Sequence, residues 1–153
     1  MAEITRTFDL LDHLVERYPK DDILGGKVNG EWVKYSSHDY YKFAHYLAYG
    51  LCEMGIKQGD RVVTMSSNCP EWNFIDMALA MCGIIHVPIY PTLNTESYLH
   101  ILRHSEAVAV MVSSKVLLNR LRPALDQMES ALQVYTLANV EGEHRTLEIL
   151  KLG

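Results

Sequence analysis

Apolar positions along the chain recur at two spacings that take turns. Phe8, Leu11, Leu14 and Val15 share one face of a helix over 7–18, which Pro19 ends. Two alternating stretches follow, near 23–28 and 31–35, with Asn29 and Gly30 between them. Both of those residues tolerate positive φ, so the pattern predicts a β-hairpin. From residue 36 the helical period returns. Tyr40, Phe43, Ala44, Leu47, Leu51 and Met54 form one stripe, Ser36 or Ser37 stands in the capping position, and Asp39 lies in the first turn. Gly55 suits the position just past the helix end.

Beyond residue 57 strands and helices alternate regularly. "RVVTMSS" predicts a buried strand near 61–66, and Pro70 opens a helix at its first position, with Cys69 or Asn68 before it. That helix is apolar almost all round from Trp72 to Met81, so it is buried on most sides. Gly83 stops it, and "IIHVPIY" (84–90) is the next strand. Pro88 and Pro91 then exclude a helix or a central strand through "HVPIYPTLN" (86–94), which reads as a stiff loop leaving a strand end. Asn94 or Thr95 caps a helix over 95–104, "AVAVMVSS" (107–114) is a strand, 115–129 a helix, "LQVYTLA" (132–138) a strand, and Thr146 caps a last helix. The order predicts an α/β fold: a doubly wound, mostly parallel sheet with helices on both faces, preceded by a helix, a β-hairpin and a long helix. The 153 residues suit one domain. Within it, 1–57 form the N-terminal helix, hairpin and long helix, 58–138 the βαβ core, and 139–153 the start of a further segment. In such sheets ligands bind outside the carboxyl ends of the strands.

Composition narrows the function classes. A hydrophobic content of 48% and a charged content of 22% are those of a globular protein. A net charge of -5, with Lys and Arg scattered, leaves no basic face for nucleic acid. Cys52, Cys69 and Cys82 are odd in number and lack metal-type spacing, so they read as reduced thiols of a cytosolic protein. The opening residues lack the pattern of a secretory leader, and no segment reaches the roughly 18 apolar residues that span a bilayer.

The usual phosphate-binding motifs are absent. "SSNCPEW" follows the strand at 61–66 where a dinucleotide fold would carry Gly-x-Gly-x-x-Gly, and no Walker pattern exists. The strand ends offer Met65-Ser66, Tyr90 and Ser113 rather than the carboxylates of a phosphoacceptor site. Ser113, Ser114 and Lys115 either bind an anion or cap a helix. His100 and His104 are four apart on one helix, but no third ligand is evident and Ile101 stands where a metalloprotease has its Glu, so no metal site is expected. His86 is either a core histidine satisfied by hydrogen bonds or a pocket-lining one. No nucleophile–base pair and no catalytic residue emerge from local spacing.

One resemblance carries further. "SSNCPEWNFIDMALAMCGIIHVPIYPTLNTESYLHILRHSEAVAVMVSS" (66–114), preceded by "GEWVKYSSHDYYKFAHYLAYGLCEMGIKQGDRV" (30–62), resembles the N-terminal part of AMP-forming acyl-CoA synthetases of the long-chain fatty acid type. The resemblance covers residues 8–138, with "NCPEW" (68–72) and "GIIHVPIYPTLN" (83–94) its most specific pieces. It implies a ligase that activates a fatty acid with ATP and magnesium to an acyl-adenylate, releasing pyrophosphate, and passes the acyl group to coenzyme A, releasing AMP. The family's Ser/Thr/Gly-rich phosphate loop ending in Pro-Lys-Gly, its later nucleotide motifs and its C-terminal catalytic lysine have no counterpart in this chain. The expectation is therefore an N-terminal scaffold portion of a fatty acid–CoA ligase, inactive as an isolated chain, with ATP, magnesium and coenzyme A belonging to the parent. The alternative is a self-standing acyl- or coenzyme A-binding module. The resemblance further implies substrate-binding positions at Tyr90, Pro91 and Thr92, on the rim of a substrate channel unless the prolines merely end the strand. It sets Arg103 facing coenzyme A, against an exposed basic residue as the plainer reading. Trp72 is expected in the core and Glu71 at a helix N-terminus. Expected partners are fatty acid, coenzyme A, the remainder of the synthetase and further copies of the chain. The expected location is cytoplasmic, the parent at most peripheral to a membrane.

Overall fold

The computed structural model describes residues 4–28, 30–138, 140–141 and 144–152. Helix α1 (Asp9–Arg17) leads into strands β1 (Leu24–Val28) and β2 (Glu31–Tyr35), and then into the long helix α2 (Ser37–Glu53). β1 and β2 pair antiparallel from Leu24↔Tyr35 to Val28↔Glu31. Gly30 takes φ 87° in their turn, while its predicted companion Asn29 lies outside the described residues. Ser36 caps α2 through a reciprocal box. Its hydroxyl accepts the Asp39 N–H, and the Asp39 carboxylate accepts the Ser36 N–H.

Strand β3 (Arg61–Met65), helix α3 (Pro70–Met81), strand β4 (Ile85–Ile89), helix α4 (Thr95–Ser105), strand β5 (Ala109–Val112), helix α5 (Lys115–Leu125) and strand β6 (Gln133–Thr136) follow. The chain then adds β7 (His144–Arg145) and α6 (Thr146–Leu152). Strand β7 was not anticipated, because two residues carry no readable alternation. Helix α5 stops at Leu125 rather than at 129. Pro123 removes a backbone donor in the last turn, and the helix ends two residues later.

The five strands are ordered β4-β3-β5-β6-β7 and all pair in parallel. Side chains alternate between two cores. Val62, Ala109 and Met111 face α2, α3 and α6, while Val63, Met65, Val110 and Val112 face α4 and α5. The sheet is thus covered on both faces, as the sequence pattern requires.

Pro88 sits inside β4, which is an edge strand, and the ladder explains why it is tolerated. Ile85 donates its N–H inward to Asp60. The period of two then sends the N–H groups of Val87 and Ile89 inward, and leaves position 88 facing outward, where no donor is needed. Close approaches of backbone fix two further positions. A Cβ on Gly26 would lie 2.9 Å from Pro70 Cδ, so the hairpin rests directly on the start of α3. A Cβ on Gly50 would overlap the Ile149 carbonyl, so α2 and α6 pack nearly backbone to backbone.

Candidate functional site at the carboxyl edge of the sheet

Strand order reverses between β3 and β5, the first and third strands of the sheet to be traced by the chain. That is where open α/β sheets leave a crevice at their carboxyl edge. The loops there are laced together. Ser67 donates its N–H to Ser113 Oγ at 3.1 Å, and Ser113 donates its N–H to the Met65 carbonyl at 3.1 Å. Ser114 caps α5 by accepting the Leu117 N–H. The hydroxyls of Ser113 and Ser114 are therefore engaged in loop pairing and capping, which is the structural one of the two readings the sequence left open.

A cleft of about 460 Å³ opens beside this point, between β1 and the start of α3. Leu24 and Gly25 form one wall, and Ser66, Asn68, Cys69 and Trp72 are among the residues of the other. Pro70 at the first helical position sets the entry angle, and the Gly26–Pro70 contact holds the walls in place. Burial is the main cause that pushes the Cys69 thiol above its ordinary value. Glu71 accepts the Tyr35 hydroxyl at 3.1 Å. Burial first, then the Glu71 charge, push Tyr35 up to about 12. The sequence did not point to this cleft, since its two walls lie more than forty positions apart along the chain.

Tyr90, Pro91 and Thr92 lie on the neighbouring loop and do not line the cleft. Tyr90 is 78% exposed. The loop is pinned from beneath: the buried Tyr98 donates its hydroxyl to the Tyr90 carbonyl at 3.2 Å, and Arg120 donates to the Pro91 carbonyl. Arg103 is not brought together with these three. It projects from the last turn of α4, exposed, and donates to the Gln127 carbonyl at 3.1 Å.

His86 holds both ring nitrogens in short hydrogen bonds. Nδ1 lies 2.7 Å from Asp76 Oδ1, and Nε2 lies 2.7 Å from Thr64 Oγ1. With Nδ1–H donating to the carboxylate, Nε2 is left to accept a hydrogen bond from the Thr64 hydroxyl. The order of groups is that of a nucleophile–base–carboxylate relay. Yet the Thr64 hydroxyl lies inside β3 on a residue only 2% exposed, closed to any substrate, so the chain of bonds is structural. Sequence reasoning missed the trio, although a signal existed: Thr64 and Asp76 are polar residues set inside apolar runs. His100 and His104 stack their rings at 5.7 Å and 7°. Among the described residues no three His, Cys, Asp or Glu side chains come together as a metal site.

A doubly wound parallel sheet preceded by a helix, a hairpin and a long helix is the architecture of the N-terminal portion of adenylate-forming enzymes. The chain belongs to the AMP-binding enzyme family, whose model matches residues 11–149. It is 26% identical over 155 residues to long chain acyl-CoA synthetase 1 of Arabidopsis thaliana, covering 97% of this chain and 24% of that protein. It is 32% identical over 87 residues to a long-chain-fatty-acid–CoA ligase of Mycobacterium bovis, covering 57% of this chain and 14% of that one. The crystal structure of a long-chain-fatty-acid-CoA ligase from Archaeoglobus fulgidus superposes with a TM-score of 0.81 at 23% identity, over 95% of this chain and 29% of that one. A benzoate CoA ligase from Burkholderia xenovorans gives a TM-score of 0.77 at 16% identity, over 95% of this chain and 28% of that one. At these identities the structural likeness is one of fold. The chain spans at most about a quarter of the length of the curated relatives named here.

Proposed function

We propose that this chain serves as the N-terminal scaffold of a fatty acid–CoA ligase. In that reaction a fatty acid and ATP form an acyl-adenylate with loss of pyrophosphate, and coenzyme A displaces AMP. The observation that carries the reading is the family match over residues 11–149, joined to the long-chain acyl-CoA synthetases among its relatives. The chain's own part is architectural. Its covered sheet presents a stiff carboxyl edge, and the loop with Tyr90, Pro91 and Thr92, pinned by Tyr98 and Arg120, forms a rim along which an acyl or pantetheine chain could lie. Arg103 is assigned a secondary part, a cation available to the coenzyme A nucleotide. ATP and magnesium would be held by residues of the parent enzyme beyond those present here.

The test is direct. The isolated chain is incubated with palmitate, ATP, magnesium and coenzyme A, and AMP release is followed. No fatty-acid-dependent AMP is expected, and measurable turnover would overturn the scaffold reading. Calorimetry with coenzyme A and with palmitate addresses the second reading, which the open cleft of about 460 Å³ keeps in view. Saturable heat without turnover would make the chain a self-standing binding module.

A further inference from the structure

Two of the three cysteines meet in space. Cys52 lies in the last turn of α2, Cys82 caps the carboxyl end of α3, and their sulfurs are 3.6 Å apart across 30 positions of sequence. The contact is built in by the core. Leu47, Ala48 and Leu51 of α2 share one buried cluster with Phe74, Ala78 and Leu79 of α3, which fixes the two helix ends side by side. Cys82 is further oriented by donating its thiol to the Ala48 carbonyl at 3.3 Å, one turn before Cys52. Cys52 is exposed and Cys82 half-buried, so a reagent reaches the pair from the α2 side. Both line a shallow cleft of about 330 Å³ that also includes Arg6, His45 and Tyr49, apart from the cleft at the carboxyl edge. The third cysteine, Cys69, stands at the opposite end of the 12-residue α3.

We propose that Cys52 and Cys82 are a redox modification site that closes to an intramolecular disulfide on reaction with small-molecule disulfides such as oxidised glutathione. Sulfurs already in van der Waals contact need only close to about 2.05 Å, a movement of the order of one side-chain rotation at the end of a helix. The Cys52 thiolate attacks one sulfur of oxidised glutathione. The glutathione S–S bond breaks, and the first glutathione leaves as a thiolate. Cys82 then gives up its proton and attacks the Cys52 sulfur of the mixed disulfide, expelling the second glutathione. Two protein thiols are oxidised, one glutathione disulfide is reduced to two thiols, and the two protons end on the departing glutathiones. Burial first, then the neighbouring Cys52, push the Cys82 thiol up to about 12. The exposure of Cys52 makes it the entry point, and the half-buried Cys82 behind it the resolving thiol. The bond would staple α2 to α3 on the face of the sheet that also carries α6.

The test uses the 153-residue chain with oxidised glutathione, followed by alkylation and mass spectrometry. Free thiols are expected to fall from three to one per chain. The digest should show a Cys52–Cys82 linked peptide and alkylated Cys69, and dithiothreitol should restore all three thiols. C69S should fall from two thiols to none, and C52S, altered only at an exposed position, should form no intramolecular link. Three thiols persisting, a glutathione adduct on Cys52 that never resolves, or links only between chains would each overturn the proposal.

Discussion

At the scale of single residues, His86 joins three elements through one ring. It ties β4 to the Thr64 hydroxyl in β3 and to the Asp76 carboxylate in α3. His86→Ala leaves the Thr64 hydroxyl buried without its partner, and a lost partner of that kind costs about 1–3 kcal/mol. Urea melts should show that loss. Adding Thr64→Val to the same chain should recover part of it, because the orphaned hydroxyl is then gone. A double variant less stable than either single one would contradict this account. Ser36 makes a second case. Ser36→Ala removes the cap of α2 and should lower stability by about 1 kcal/mol. The Ser36 hydroxyl, then its backbone N–H, hold the Asp39 carboxyl below the usual carboxylate range. A value lower in the folded than in the unfolded chain gives stability that is fully present above the unfolded value and is lost as pH falls through the folded one. Asp39→Asn should therefore flatten acid unfolding below about pH 4, the unfolded carboxylate range, as followed by circular dichroism. An unchanged acid limb would refute the role of the box.

At the scale of elements, the packing of α2 on α6 depends on the missing side chain at Gly50. Gly50→Ala drives a methyl into the Ile149 carbonyl, and overpacking of this kind costs about 1–3 kcal/mol. The melting temperature should fall although alanine is the better helix former. A rise would mean that α6 moves aside without loss. The elements themselves were mostly legible in the sequence. The stripe of α2 was readable because its period lasts long enough to exclude a strand, the apolar run of α3 because Pro70 opens it and Gly83 ends it, and Ser36 and Asn94 marked the starts of α2 and α4 by type. Strand β7 was not legible, since its pairing with Tyr135 and Thr136 is its only signature. Contacts between distant positions escaped as well. The trio around His86, the Cys52–Cys82 pair and the cleft between β1 and α3 each need residues whose neighbourhood is decided by the packing of whole elements. The loop of Tyr90, Pro91 and Thr92 could be placed at a strand end because prolines announce one locally, whereas its substrate-binding role came from the family resemblance. The fixing of that loop by Tyr98 and Arg120 could not be read in the same way.

At the scale of the molecule, the two faces of the sheet are covered, but apolar surface remains on the hairpin. Trp32 is 67% exposed and Val28 51%, with the Lys27 ammonium 5.3 Å from the Trp32 ring. Surface of this kind favours association, so light scattering of the isolated chain at high concentration should report a mass above the monomer. Trp32→Ser should lower it, and a clean monomer at every concentration would contradict the expectation. Among the described residues no helix is long and apolar enough to cross a membrane. Pro88 marks one border of the sheet. The border at β4 is finished, because a strand docking there would meet a ring where it needs a donor. At position 88 the β4 edge is thus closed to strand addition by the absence of a single backbone hydrogen.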